Sequence, residues 1–355
     1  MNIIAIILTL GVIVFVHEFG HFIFAKMNHV KVNEFSIGMG PAIATWKKGE
    51  TEYSVRGLPI GGYCLMEGLG EASDDENAFN TKSVLARLSI LFAGPFFNFL
   101  LAFLLAIIIC HNSTIDDTVL TGISKDSAAS EAGIQPGDEI IKLDGQRIYN
   151  YREITLFGMV NDPEKPVEVT YLRDGQEHTV TLTKKKDEKT GKYYFGFESH
   201  GRLSKGFVDE MKYSVLEVRF QIKTVITSLK MLFSGKLSKD DLMGPVGISN
   251  TMNDVIENAK DAADSMQMSK WDSFMLVLLN IINFAVLLSA NLGVMNLLPI
   301  PALDGGRILF ILIEAISGKK VPQEKEAVVT AVGVVLLMLL MIFVFFNDLG
   351  NVFHK

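Results

Sequence analysis

His17-Glu18-Phe19-Gly20-His21 sets two imidazoles four residues apart with a carboxylate between them. On a helix, residues four apart share a face, so His17 and His21 can offer two ring nitrogens to one tetrahedral Zn²⁺. Glu18 sits about 100° round the same helix, clear of the ligand pair and free to take a proton from an activated water. That is the ligand and base layout of a hydrolytic zinc site. The motif lies inside an apolar run that begins at Ile3 and ends at Lys26. Polar groups in such a run are costly unless ligated, paired or facing water, which argues against an idle polar cluster.

A catalytic zinc site needs a third protein ligand and an open position. The string Asn296-Leu297-Leu298-Pro299-Ile300-Pro301-Ala302-Leu303-Asp304-Gly305-Gly306 supplies Asp304 as a candidate, just after two prolines. Pro299 and Pro301 remove two backbone donors, which is tolerated at membrane depth where the freed groups are buried in protein or line a wet cavity. An ordinary helix end with a turn aspartate would produce the same string. The HExxH motif in an apolar span tips the reading towards a ligand.

The elements that must carry these residues are membrane helices. Hydrophobic residues make up 49% of the 355-residue chain, and the mean hydropathy is +0.30. Residues 3–26, 88–110, 274–298 and 327–346 each approach the length of about 20 residues that crosses a bilayer. The first lacks a basic leading region and a small-residue cleavage site, so it is expected to stay as an uncleaved anchor. Lysines and arginines gather between spans one and two and between spans three and four (Lys26, Lys31, Lys47, Lys48, Lys82, Arg87; Arg307, Lys319, Lys320, Lys325). This asymmetry predicts both termini and the segment between spans two and three outside the cell. His17 and His21 would then lie about 7–14 Å along the helix from the cytoplasmic end of the first span. Cys64 and Cys110 would fall on opposite sides, so no disulfide is expected. The net charge of −7 names no partner, and nothing points to nucleic acid.

Other segments have readable patterns. Residues 48–68 alternate through Thr51, Tyr53 and Val55 and then reach Gly61-Gly62, which predicts a strand or hairpin bent at the glycines. In the second span Gly94-Pro95-Phe96-Phe97-Asn98 interrupts the apolar run, and a helix-packing role is expected for it. Residues 115–183 read as a small β-rich domain: a strand at Val119–Ser124, a short helix over Ser127–Gly133, a turn and strand over Ile134–Asp144, and hairpin turns at Asp144-Gly145 and Asp174-Gly175. Residues 203–273 read as an external amphipathic, helical linker whose stretch Phe207–Phe233 could lie on the membrane or pack on the preceding domain.

HEFGHFIFA at residues 17–25, NLLPIPALDGG at residues 296–306 and the elements GPFFN, GGYCLMEG and GPVG together resemble the site-2 protease family of intramembrane zinc metalloproteases. The resemblance spans nearly the whole chain and implies a polytopic α-helical membrane protein. It would have a core formed by residues 1–110 and 274–355, a cytoplasmic membrane-associated β-hairpin and an inserted external domain. It implies His17, His21 and Asp304 as zinc ligands and Glu18 as base. It also implies that the hairpin around Gly61, Gly62 and Tyr63 presents an edge to an extended substrate, and that Asn291, Asn296, Pro299 and Pro301 hold unwound backbone or the substrate strand. SAASEAGIQPGDEIIKLDG looks like a bacterial PDZ domain, a module that binds extended peptides or C-termini by strand addition. Such an enzyme would sit in a bacterial cell membrane with its active site in the cytoplasmic half of the bilayer. The family's substrates are trimmed anti-sigma factors and remnant signal peptides, and its PDZ domain gates by size.

Two other readings stay open at this point. A noncatalytic PDZ receptor or scaffold would use the polar intramembrane residues for packing alone and need no zinc. A membrane-anchored zinc protease acting on soluble substrates would place its HExxH towards the cytosol and take a downstream glutamate as third ligand.

Overall fold

Long runs of Leu, Ile, Val and Phe fold as helices in this chain because a helix satisfies its backbone donors and acceptors internally, without help from water. The computed structural model describes residues 2–71, 73–188, 191–236 and 244–353. In chain order it runs α1 (Asn2–Met27), β1 (Val32–Lys48), β2 (Thr51–Met66), α2 (Val84–Asn112), β3 (Gly122–Ile123), α3 (Ala128–Glu131), β4 (Glu139–Leu143), β5 (Gln146–Arg147), α4 (Tyr151–Val160), β6 (Val167–Arg173) and β7 (Gln176–Leu182). It continues with β8 (Lys185–Lys186), β9 (Tyr193–Tyr194), β10 (Phe197–Glu198), α5 (Phe207–Phe233), α6 (Pro245–Ser265), α7 (Lys270–Leu297), α8 (Asp304–Ser317) and α9 (Gln323–Phe353). Ile4–Met27, Val84–Asn112, Lys270–Leu297 and Glu324–Gly350 are long and apolar enough to cross a membrane. Most of their ends lie beyond the expected apolar runs, because hydropathy marks the stretch that suits lipid and not the capped helix around it. Ser269, for example, caps α7 by accepting from the Asp272 amide.

The chain divides into two compact units, one of residues 1–105 with 232–355 and the other of residues 106–231. In the first, β1 and β2 form a long antiparallel hairpin that starts at Val32, not near residue 48 as the sequence pattern predicts. The missing signal has a cause. Gly38, Gly40 and Pro41 break the two-residue alternation, both glycines at φ 85°, and the pairing skips from Met39–Leu58 to Ala42–Arg56 across Pro41. The base of the hairpin buries Val32, Phe35, Cys64 and Met66 against Ala25, Ile90, Leu91 and Ile311. Its outer half exposes Met39, Ile43, Trp46 and Leu58. β2 runs along α1 so closely that a Cβ on Gly11 would lie 2.9 Å from the Pro59 carbonyl oxygen.

Two helices in this unit start at points that the sequence pattern does not mark. The Gly244-Pro245-Val246-Gly247 string opens α6, with Pro245 in its first turn. The amides of Gly244 and Gly247 donate to the buried carboxylate of Asp348 on α9 at 3.1 and 2.8 Å. A carboxylate from a distant helix thus satisfies orphan donors at the positive end of α6. α6 then packs Met252 and Ile256 against Ile6 of α1 and Phe284 of α7. The other such helix, α8, starts at Asp304.

The second unit has a four-stranded sheet in the order β5-β4-β6-β7. Its hairpins turn at Asp144-Gly145 (φ 45° and 73°) and Asp174-Gly175 (φ 53° and 78°), the positive-φ pairs that two-residue turns demand. The core holds Leu120, Ile140, Val169 and Phe157 and also Phe195 and Phe197, so the folded module continues past residue 183. Its last strand pairs Phe197–Glu198 with Gly122–Ile123, and Ile115 and Arg202 exchange backbone hydrogen bonds of 2.6 and 2.9 Å. Two-residue strands interrupted by glycine leave no periodic pattern to read. Cys64 and Cys110 are both free and buried.

α5 packs on this module. Arg219 and Lys223, one turn apart on α5, both pair with Glu153 of α4, whose side chain is 0% exposed. Arg152 bridges Asp116 and Glu217, and Arg202 bridges Asp117 and Asp209 at 2.7 and 2.6 Å. Glu153→Gln leaves two cations facing a neutral buried amide, so a loss of about 1–3 kcal/mol is expected. Hydrogen exchange of the full-length protein checks it: amides of Phe207–Phe233 should exchange faster in the variant, with the sheet amides unchanged.

Candidate metal centre

Between Thr9 and Lys26, the polar side chains of α1 are His17, Glu18 and His21. The two imidazoles are 6% and 5% exposed and stand nearly perpendicular, with ring centroids 4.7 Å apart. α2 reaches them because two glycines leave room. A Cβ on Gly20 would lie 2.5 Å from the Ala93 carbonyl oxygen, and one on Gly94 would lie 2.3 Å from His21 Nε2 and 2.7 Å from His17 Cε1. Small residues thus let the backbones close, and the imidazoles take the space that a Gly94 side chain would fill.

α2 also supplies the partners of the outer ring nitrogens. His21 Nδ1 lies 2.8 Å from the Ile90 carbonyl oxygen and donates to it. Pro95 sits inside α2 with no N–H for the carbonyl four residues back and with a ring that crowds that turn. The neighbouring carbonyl, Ile90, is the one His21 uses. Asn98, 0% exposed, brings its side-chain amide to 3.1 Å from His17 Nδ1.

The third group comes from the break after α7. The chain turns through Pro299 and Pro301, with Ala302 at φ 82°, and folds back so tightly that a Cβ on Gly305 would lie 2.2 Å from the Leu298 oxygen and one on Gly306 2.4 Å from the Ile300 oxygen. Asp304 opens α8 at this point. Its Oδ2 lies 3.2 Å from His17 Nε2 and 3.3 Å from His21 Nε2, and the two Nε2 atoms are 3.2 Å apart. A tetrahedral ion with ligands at about 2.0–2.1 Å requires ligand atoms separated by about 3.3 Å, so the triangle fits one face of such a site. Asp304 Oδ2 is shielded from solvent and accepts no hydrogen bond. Three lone-pair atoms facing one another repel unless a cation or proton lies among them, a need that a bound metal cation would meet at all three at once. Among the described residues this is the group of His, Cys, Asp and Glu side chains that could hold a metal.

Glu18 does not join the triangle. Its Oε2 accepts the Cys64 amide of β2 at 3.1 Å, next to Gly61, Gly62 and Tyr63. Asn296 reaches the site, its Nδ2 3.4 Å from His17 Nε2. Asn291 lies on α7 and makes none of the site's hydrogen bonds among the described residues, and Pro299 is exposed. Sequence reasoning missed Gly94, Asn98 and the amide of Cys64. The GPFFN string was the available signal for the first two; nothing in a sequence marks a backbone amide.

The profile of Peptidase family M50 matches residues 5–340. A protein of Clostridium acetobutylicum whose name includes the words zinc metalloprotease is 40% identical over 347 residues, covering 98% of this chain and 97% of its own. The zinc metalloprotease RasP of Bacillus licheniformis is 30% identical, with 99% of both chains covered. The regulator of sigma-W protease RasP of Bacillus subtilis is 28% identical at the same coverage. Among solved structures, the PDZ domain of an SdrC-like protein from Listeria innocua aligns to 24% of this chain and 97% of its own, at 18% identity and a TM-score of 0.23.

Glycine to alanine within a helix ordinarily stabilises by about 0.5–1 kcal/mol. At Gly94 the sign is expected to reverse, because the added methyl displaces both imidazoles. Gly94→Ala should weaken zinc retention by at least about 10-fold, the scale of a disturbed metal shell, read by metal analysis of the purified protein against a chelator series.

Proposed function

Because the chain belongs to peptidase family M50, the site-2 protease family, and is a zinc metalloendopeptidase of the membrane, we propose that it cuts transmembrane segments of other membrane proteins at a centre formed by His17, His21 and Asp304, with Glu18 as base. The observation that carries this reading is the triangle of two Nε2 atoms and one Oδ2 atom, with edges of 3.2–3.3 Å, on helices apolar enough to span a bilayer. Zinc held there supplies Lewis acidity that activates water near neutral pH and polarises the scissile carbonyl. Family membership sets aside the noncatalytic scaffold, and Asp304 beside the two imidazoles, in place of a downstream glutamate, favours this reading over the soluble-substrate protease.

Glu18 takes the proton of the attacking water and returns it to the leaving amine. The Cys64 amide steadies its carboxylate at 3.1 Å, so the base is tied to strand β2. A helical substrate hides its carbonyls in its own hydrogen bonds and must be drawn out to react. The β2 edge around Gly61, Gly62 and Tyr63 supplies pairing groups for such an extended strand. Asn291, Asn296, Pro299 and Pro301 hold unwound backbone on the other side of the cut.

We place both termini and the segment between the second and third spans outside the cell and the metal centre in the cytoplasmic half of the membrane, on the distribution of Lys and Arg. The module that starts at residue 115 acts as a PDZ domain that binds an extended peptide or C-terminus and turns away substrates whose external part is still bulky. A relative is named as a regulator of sigma-W, so a trimmed anti-sigma factor is one substrate class; remnant signal peptides are the other.

Two outcomes test this. Glu18→Gln should keep its zinc and lose cleavage of a co-expressed single-span substrate by about 100-fold or more; cleavage at the wild-type rate would sink the mechanism. Replacing residues 115–202 by a short flexible linker, which their paired ends permit, should let the enzyme cut untrimmed substrates. If these stay intact while trimmed ones are still cut, the gate is wrong.

A further inference from the structure

A histidine that gives Nε2 to a metal carries its proton on Nδ1, and that N–H needs an acceptor to fix the ring. His21 has one in the main chain, the Ile90 carbonyl at 2.8 Å. His17 differs: the group at its Nδ1 is a side chain, Asn98, whose Nδ2 lies 3.1 Å away while its Oδ1 is buried without a partner. A half-turn of the amide exchanges its two ends and brings the orphan oxygen to the ring N–H. The rest of Asn98 is held in place, because its backbone carbonyl accepts the buried Ser289 hydroxyl of α7 at 2.8 Å. Gly94, one turn earlier on α2, leaves the rings the space to turn this edge towards Asn98.

We infer that Asn98 is a positioning residue for the metal centre: its carbonyl oxygen accepts from His17 Nδ1, fixes the tautomer and aims Nε2 at the ion. The inference rests on the reading of His17 as a ligand. It sets an asymmetry between the two imidazoles. The His21 acceptor is main chain and survives any side-chain substitution at residue 90, whereas the His17 acceptor is lost with one side chain. Packing alone would leave Asn98 replaceable by an apolar residue of similar volume. Positioning makes it replaceable by another acceptor instead.

The experiment uses the full-length protein in detergent, with zinc retention measured against a chelator series and the visible spectrum of the cobalt-substituted protein as a second readout. Asn98→Leu and Asn98→Ala should weaken metal retention about 10- to 100-fold, the cost of an outer-shell substitution, and alter the cobalt bands. Asn98→Asp, which keeps an acceptor in place, should stay within a few-fold of wild type. Wild-type affinity in the Leu or Ala variant overturns the inference, as does an Asp variant that binds as weakly as they do. If Leu does not fold, the Ala and Asp pair carries the same comparison. His17→Ala is run alongside: unchanged zinc affinity there would sink the reading of His17 as a ligand, a failure distinct from that of Asn98.

Discussion

An imidazole or carboxylate inside an apolar helix bundle is tolerable when each of its lone pairs and N–H groups meets a counterpart, since water is not there to substitute. Much of the first unit is arranged around that requirement. The inner nitrogens of His17 and His21 face Asp304, and the outer nitrogens face α2. These contacts exist because α1 and α2 approach to a distance that Gly20 and Gly94 alone permit. Pro95, costly inside an isolated helix, lies close in sequence to Ile90, whose carbonyl orients one ring. Features that read as defects in a membrane helix are therefore the means by which a polar centre is accommodated.

The same logic explains why the hairpin is held close. β2 runs past Gly11 of α1 and gives an amide to Glu18, so the carboxylate has a partner without leaving the site. A strand edge can do this where the interior of a helix cannot, because every second amide of an edge strand points outward unpaired. Glu18 and the strand are thus held in one frame.

How much of this was legible in the sequence depended on whether the signal was periodic or chemical. The four apolar helices, the HExxH spacing and the Asp-Gly turns could be read, since each rests on a strong local constraint. Asp304 was legible through its double proline and its neighbours. The first strand of the hairpin was not, because Gly38, Gly40 and Pro41 erase the alternation. Neither was the start of α6, whose first turn is capped by Asp348, a hundred residues on. Asn98 was visible as a polar residue in an apolar helix, yet its partner lies on another helix. Assigning it to packing was the natural reading of small-residue spacing.

The mutual backbone hydrogen bonds of Ile115 and Arg202 bear on how the chain can fold at all. A long insertion between two helices ordinarily carries a loop-closure entropy that grows with its length. Here the inserted module closes its own ends, so the connection from α2 to α5 behaves as a short tether once the module has formed. The loop entropy is then met by the module's own core, and pairing of the membrane helices need not wait for a long, wandering segment to find itself.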